Sequence, residues 1–216
     1  AQVDAAETPF GERLSDAINA LSGDAANIGL ARRSSDAIVG YLELHIEQAP
    51  VLEREGLSVG VVTAIAAPCR ARVVFQGVAD HAGGTMMGER RDALAGAAEL
   101  ILAVENIASR PGMAPEGVGT VGWAQVSPNM ANVIPGRVDL TVEVRSIEAA
   151  PLTSARSHID GALKDIAERR GLTASIDWQH IEEPVTLPDH MQAAVAQACE
   201  DLGLPVRRMP SRASHD

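Results

Sequence analysis

Three of the six histidines sit in settings suited to chemistry. His45 lies in Leu42-Glu43-Leu44-His45-Ile46-Glu47-Gln48, at the C-terminal end of a β-forming run. In an open α/β sheet, ligands bind at that end of the strands. An imidazole beside carboxylates suits a metal, and it equally suits a hydrogen-bonded core. His215-Asp216 follows a second short β-forming stretch. Two ring nitrogens on neighbouring strand ends can share one metal centre, but nothing in the spacing makes these two converge. His81 stands in Asp80-His81-Ala82-Gly83-Gly84, where glycine permits positive φ and close approach of a ligand, or simply a turn.

Asn132 lies in the Pro-flanked loop 128–136 and carries both a donor and an acceptor, which suits an amide or ureide. An Asx-type turn is the plainer use of the same side chain. Arg145 ends an alternating run, where a guanidinium either clamps a carboxylate with two parallel bonds or stays a solvated charge. His158, His180 and His190 fall on an expected helix face, a strand and a helix start, and are read as surface or packing residues. The chain has no Gly-x-Ser-x-Gly elbow, no GxxxxGK[ST] loop and no HExxH pair, and Lys164 is its one lysine.

The elements that must position these groups follow from periodicity. Helical spacing runs over Phe10 to Leu21 and breaks at Ser22-Gly23-Asp24. Ala37 to Glu47 reads as a buried strand, Pro50 to Glu55 as a helical turn closed by Gly56, and Val59 to Ala66 as a second strand, with Pro68 as a boundary. The middle segment then runs strand (Arg70–Val78), helix (Arg90–Ser109), strand (Gly117–Val126), strand (Val138–Arg145), helix (Pro151–Arg170, Gly171 after it) and strand (Leu172–Ile181). Val138, Leu140, Val142 and Val144 alternate with Asp139, Thr141, Glu143 and Arg145, which predicts one wet face. This β-α-β-β-α-β order predicts a ferredoxin-like α+β sandwich. A helix at Met191 to Leu202 and a strand at Val206 to Met209 return the chain to the first kind of structure. The expected fold is α/β: a discontinuous domain at 1–68 and 184–216, interrupted by an inserted α+β domain at 69–183.

Composition narrows the function. The 216 residues carry a formal charge of -11, which argues against nucleic-acid or anionic-membrane partners. Aromatic residues are 2%, too few for a base-stacking platform, so Ala, Val, Leu and Ile must build the core. Cys69 and Cys199 lie 130 positions apart and show neither metal spacing nor a disulfide framework. Buried thiols and a reducing, cytoplasmic setting are expected. No run approaches a membrane span, and Ala1 to Thr8 lacks the marks of a signal peptide. Both ends look cut, and the chain is expected to be a piece of a longer protein.

Taken together the segments resemble one family. Leu42 to Glu53 is similar to the "LELHIEQGPVLE" block of the N-carbamoyl-L-amino acid hydrolase and allantoate amidohydrolase group, within the aminoacylase and glutamate carboxypeptidase-like hydrolases. Asp80-His81-Ala82-Gly83 with Arg91-Asp92-Ala93-Leu94 resembles its "DHAGTTPM…RRDAL" block. Pro128-Asn129, Asn132 to Gly136 and Val144-Arg145 resemble "PNxxNVIPGxVxLxxDxR", and Ser214-His215-Asp216 stands where the family has "GAGHD". Departures occur at Ala49, at Gly84 to Met87 and at Ser211 to Ser214, the last two beside the substrate. The resemblance implies a di-metal catalytic domain, partial here, with the inserted domain as lid and dimerisation domain. It implies His45 on one divalent ion (Zn, Mn, Co or Ni) and His215 on the other. Gln48, Asn132 and Arg145 would hold the substrate, with Arg145 on its carboxylate. His81 would be catalytic, reaching a homodimer partner's site to steady an oxyanion while metal-bound water attacks the carbamoyl or ureido carbon. It places the remaining ligands and a glutamate base upstream of this segment, so the piece alone is expected to be inactive. A peptidase or deacylase of the same superfamily is the alternative enzyme, although that branch usually has a carboxylate where His45 stands. A non-catalytic dimerisation module is the alternative outside enzymes.

Overall fold

The computed structural model describes residue 6 and residues 11–113, 117–213 and 215. Most of Ala1–Thr8, the first residue of the expected helix (Phe10), and Ser214 and Asp216 beside His215 lie outside the described residues. The chain divides into two units, Ala1–Ile46 and Glu47–Asp216.

The first unit holds a helix, α1 (Leu14–Ala20), a 3-10 segment at Ala25–Ala31 that is kinked at Asn27, and a single 3-10 turn at Ser35–Ala37. Asp24 starts the first of these by accepting from the Asn27 amide at 3.2 Å. α1 buries no residue, and Leu21 of its expected apolar face is exposed. The buried strand predicted over Ala37–Glu47 does not form. Residues 41–47 have no regular structure, and Val39 and Leu44 are 106% and 96% exposed. Apolar composition shows that a segment suits burial, but a strand also needs a neighbour to complete its ladder. Among its described residues the first unit has no strand to offer one.

The second unit opens with α2 (Val51–Glu55), closed by Gly56 at φ 67° as the sequence predicts. Its strands are β1 (Val59–Ile65), β2 (Ala67–Gln76), β3 (Asp80–His81), β4 (Val118–Ser127), β5 (Val133–Ile134), β6 (Arg137–Ser146), β7 (Thr173–Ile181), β8 (Val185–Thr186) and β9 (Val206–Ser211). Its longer helices are α3 (Ala93–Ala108), α4 (Ala149–Arg170) and α5 (Asp189–Asp201). β1 is the middle strand of a three-stranded sheet, antiparallel to β8 and parallel to β9. At Ala66, whose amide donates to the Ser211 carbonyl at 2.9 Å, the chain leaves this sheet and enters β2. Pro68, expected as a boundary, lies inside β2, near the strand start where the missing N–H is tolerated.

The four long strands form an antiparallel sheet in the order β4-β6-β2-β7. With α3 after β2 and α4 after β6, this is the split β-α-β arrangement that the sequence predicts. Asp92 caps α3 by accepting from the amides of Leu94 and Ala95 at 2.9 and 3.1 Å. Gly171, at φ 62°, ends α4. One face of the sheet packs on both helices: Val73, Phe75, Val138, Leu140, Val142 and Val144 meet Leu100, Val104 and Ile159, all essentially buried. The other face is less wet than predicted, because Asp139 is buried beneath Arg72 and Arg137. Cys69 and Cys199 are buried free thiols, and burial raises the Cys69 thiol above its ordinary pKa. Among the described residues no helix is long and apolar enough to cross a membrane.

Candidate functional site

His81 and Asn132 come together where β2 ends and β6 begins. β3 pairs with β5, placing His81 opposite Val133, and the Ala82 amide donates to the Asn132 carbonyl at 2.9 Å. Both side chains are exposed. Asp80 accepts from the His81 amide at 2.8 Å. A hydrogen bond from Thr85, and then that amide, hold the Asp80 carboxyl below its ordinary range. Arg90 ties the loop from outside, donating from Nη2 to the Ala82 carbonyl at 2.6 Å and from Nε to the Thr85 carbonyl at 3.0 Å. The Gly83 amide donates to Nδ1 of His81 at 3.1 Å. A neutral imidazole that accepts at Nδ1 carries its proton on Nε2. His81 therefore presents an N–H donor, the kind of group that steadies a developing oxyanion.

The loop glycines work differently from the expectation. Neither Gly83 nor Gly84 adopts positive φ. A Cβ on Gly83 would stand 3.2 Å from Cε1 of the His81 ring. Its small size, and not its torsional freedom, is what the loop uses.

Arg145 occupies the opposite end of β6. From Arg137 the strand runs eight residue steps, roughly 25 Å at about 3.3 Å per step. One small substrate cannot span that length, so Arg145 and the His81–Asn132 pair of one chain cannot share it. Arg145 is half-buried and held on two sides: Nε donates to Glu143 at 2.7 Å and Nη1 to the Arg212 carbonyl at 2.9 Å. It stands opposite Pro68, beside the crossing at Ala66, and so next to the loop that carries His215. In that loop the Ser211 hydroxyl lies 2.6 Å from Nε2 of His215 and accepts from the Ala213 amide at 3.3 Å.

His45 belongs to the first unit and is exposed. Its Nδ1 lies 2.6 Å from the Ile46 carbonyl. A carbonyl only accepts, so Nδ1 carries the proton and the lone pair sits on Nε2, the tautomer that suits a metal ligand. Gln48, in the second unit, is exposed at φ 54°. A left-handed glutamine costs about 1 kcal/mol and persists where its surroundings impose it. Here the Glu47 carboxylate accepts from the amides of Val51 and Leu52 at 2.8 and 2.9 Å, fixing the bend. Sequence reasoning overlooked Glu47, Arg90 and Glu143. Glu143 had a readable signal, since it lies two residues from Arg145 on the same strand face.

No family model matches the chain. It is 36% identical over 206 residues to the N-carbamoyl-L-amino acid amidohydrolase of Geobacillus stearothermophilus, covering 95% of this chain and 50% of that protein. It is 34% identical over 206 residues to the allantoate amidohydrolase of Escherichia coli K12, covering 95% of this chain and 49% of that one. Among solved structures, an amidase of the hydantoinase/carbamoylase family from Burkholderia multivorans superposes with a TM-score of 0.80 at 33% identity, covering 99% of this chain and 51% of that chain. The chain thus spans about half the length of the curated relatives it matches.

Proposed function

Because the chain belongs to the N-carbamoyl-L-amino acid amidohydrolase and allantoate amidohydrolase family, we propose that the whole protein is a metal-dependent amidohydrolase. It cleaves the carbamoyl or ureido C–N bond of an N-carbamoyl-L-amino acid or an allantoate-like ureide. The likeness over nearly the whole chain to an N-carbamoyl-L-amino acid amidohydrolase carries this reading. The side-chain geometry supports it.

His45 and His215 would each hold one of two divalent ions, and imidazole suits Zn, Mn, Co or Ni. The His45 tautomer fits that donor role. Bound there, such ions supply Lewis acidity and bring the pKa of water toward neutrality. Arg145 binds the substrate carboxylate, Gln48 and Asn132 hold its amide groups, and His81 donates from Nε2 to the oxyanion that develops as water adds to the carbamoyl or ureido carbon. The length of β6 separates Arg145 from His81 and Asn132, so His81 and Asn132 serve the site of a second copy. The four-stranded sheet and its helices act as lid and dimerisation domain, at 69–183, between catalytic parts at 1–68 and 184–216. Its β4 edge and the exposed Leu94, Ile101 and Leu102 of α3 suit a two-fold contact. The buried free thiols go with a reducing, cytoplasmic setting.

The test is metal content and ureide hydrolysis of the full-length protein, wild type beside His45→Ala. About two ions per subunit are expected, with turnover and one ion lost in the variant. A folded wild-type protein that binds no metal and turns over no ureide would overturn the reading.

A further inference from the structure

β6 places Glu143 and Arg145 on one face of the sheet, and register places Arg70 of β2 opposite Glu143. Glu143 bridges two guanidinium groups. Oε1 accepts from Nε of Arg145 at 2.7 Å, and Oε2 accepts from Nε of Arg70 at 3.0 Å. The Glu143 and Arg145 side chains are only 21% and 24% exposed, against 48% for Arg70. Nη1 of Arg145 is taken by the Arg212 carbonyl at 2.9 Å. Two fixed acceptors thus orient the guanidinium, and the two N–H groups of Nη2 and the second of Nη1 remain to donate to a ligand.

We propose that Glu143 is the positioning residue that aims Arg145 at the substrate carboxylate, a role that rests on the reading of Arg145 as the carboxylate clamp. An arginine side chain left to itself must lose rotamer freedom when it binds. Glu143 and the Arg212 carbonyl remove that freedom before substrate arrives. Arg70 completes the device electrostatically: two cations and one anion leave a net positive charge facing an anionic ligand. Burial pushes the Glu143 carboxyl up, but the hydrogen bonds from Arg145 and Arg70 outweigh it and leave the group below its ordinary value. Glu143 is therefore ionised at neutral pH and acts on Arg145 as a fixed charge.

The experiment is steady-state kinetics of the full-length enzyme on an N-carbamoyl amino acid and on its primary amide, which lacks the carboxylate. Glu143→Gln is expected to raise KM for the acid roughly five- to tenfold, with kcat within about twofold and KM for the amide unchanged. This matches a lost positioning bond of the usual size. Glu143→Asp, which keeps the charge, is expected to recover part of that loss. If Arg145→Ala raises KM for the acid but Glu143→Gln does not, the positioning role is overturned and the clamp stands. A Glu143→Gln effect equal for acid and amide marks a merely structural residue and also overturns it. If Arg145→Ala leaves KM for the acid unchanged, the clamp reading itself fails and takes the proposal with it. Should Glu143→Gln not fold, Arg70→Gln at its more exposed position gives the same readout. A smaller rise for the acid alone is expected, and no rise overturns the proposal.

Discussion

At the scale of single residues, the candidate groups depend on neighbours that carry no proposed chemistry themselves. The His81 ring is oriented by one backbone amide, that of Gly83, and a Cβ on the same residue would stand 3.2 Å from the ring, close enough to displace it by a few tenths of an ångström. Gly83→Ala would push a methyl group against the ring while its backbone stays in an ordinary conformation. A displacement of a few tenths of an ångström at a donor group is enough to slow a reaction. In the full-length protein, if it hydrolyses ureides as proposed, the substitution is expected to lower kcat about tenfold, with a melting temperature within about 2 °C of wild type. Gly84→Ala is the control, because its Cβ would meet Nδ1 of His81 at 3.6 Å, an ordinary contact. Equal loss in both variants would show that the loop as a whole, and not the His81 ring, is what the methyl group disturbs. The Ile46 carbonyl does for His45 what the Gly83 amide does for His81: each assigns the proton to one ring nitrogen.

At the scale of elements, β6 organises the molecule. Its inner face supplies core, with Val138, Leu140, Val142 and Val144 buried against α3 and α4. Its outer face supplies ion pairs, and its length holds two sets of candidate substrate groups apart. Asp139 is the most buried of the outer-face charges and is bracketed by Arg137 at 2.7 and 2.9 Å and Arg72 at 3.0 Å. The hydrogen bond from Arg137 lowers its pKa; burial opposes this, and the bond from Arg72 adds to the lowering. A carboxylate with a depressed folded-state pKa contributes stability that is complete above its unfolded value of about 3.9. That contribution fades as pH falls through the lower folded value. Asp139→Asn is therefore expected to destabilise the protein by about 1 kcal/mol at pH 7, a figure kept small because both arginines are partly solvated. Denaturant melts should show the gap between variant and wild type closing below about pH 4. A gap that stays constant with pH would assign the effect to packing instead of charge.

At the scale of the whole molecule, the separation along β6 makes a prediction about assembly. If one site takes Arg145 from its own chain and His81 from a second copy, two inactive variants can repair each other. His81→Ala and Arg145→Ala, mixed one to one with subunit exchange, would form mixed dimers in which one of the two sites is intact. About a quarter of wild-type activity is expected at substrate below KM, because about half the dimers are mixed and half their sites work. A mixture no more active than its components would place all the groups in a single chain, against the geometry of β6. The formal charge of -11 bears on the same scale: it works against long-range attraction of polyanions.

The sequence by itself determined the elements of the four-stranded sheet with its two helices and the chemical types of the candidate groups. Strict alternation over Val138–Arg145 and helical spacing over Arg90–Ser109 are local signals, set by the periods of strand and helix, and both elements form. His45, His81, Asn132 and Arg145 were legible as reactive types in suitable surroundings. Tertiary structure decided what depends on partners distant in sequence. Ala37–Glu47 has a strand's composition, yet a ladder needs a neighbour and no strand stands among the described residues of its unit. Asp139 reads as a wet residue, and only the pairing of β2 with β6 brings Arg72 over it. Gly83 reads as a torsional need and proves a steric one, because only the folded loop brings its amide to the His81 ring. The distance between Arg145 and His81 was likewise invisible along the chain. Spacing in sequence counts residues, whereas an extended strand converts eight of them into a gap that no small substrate crosses.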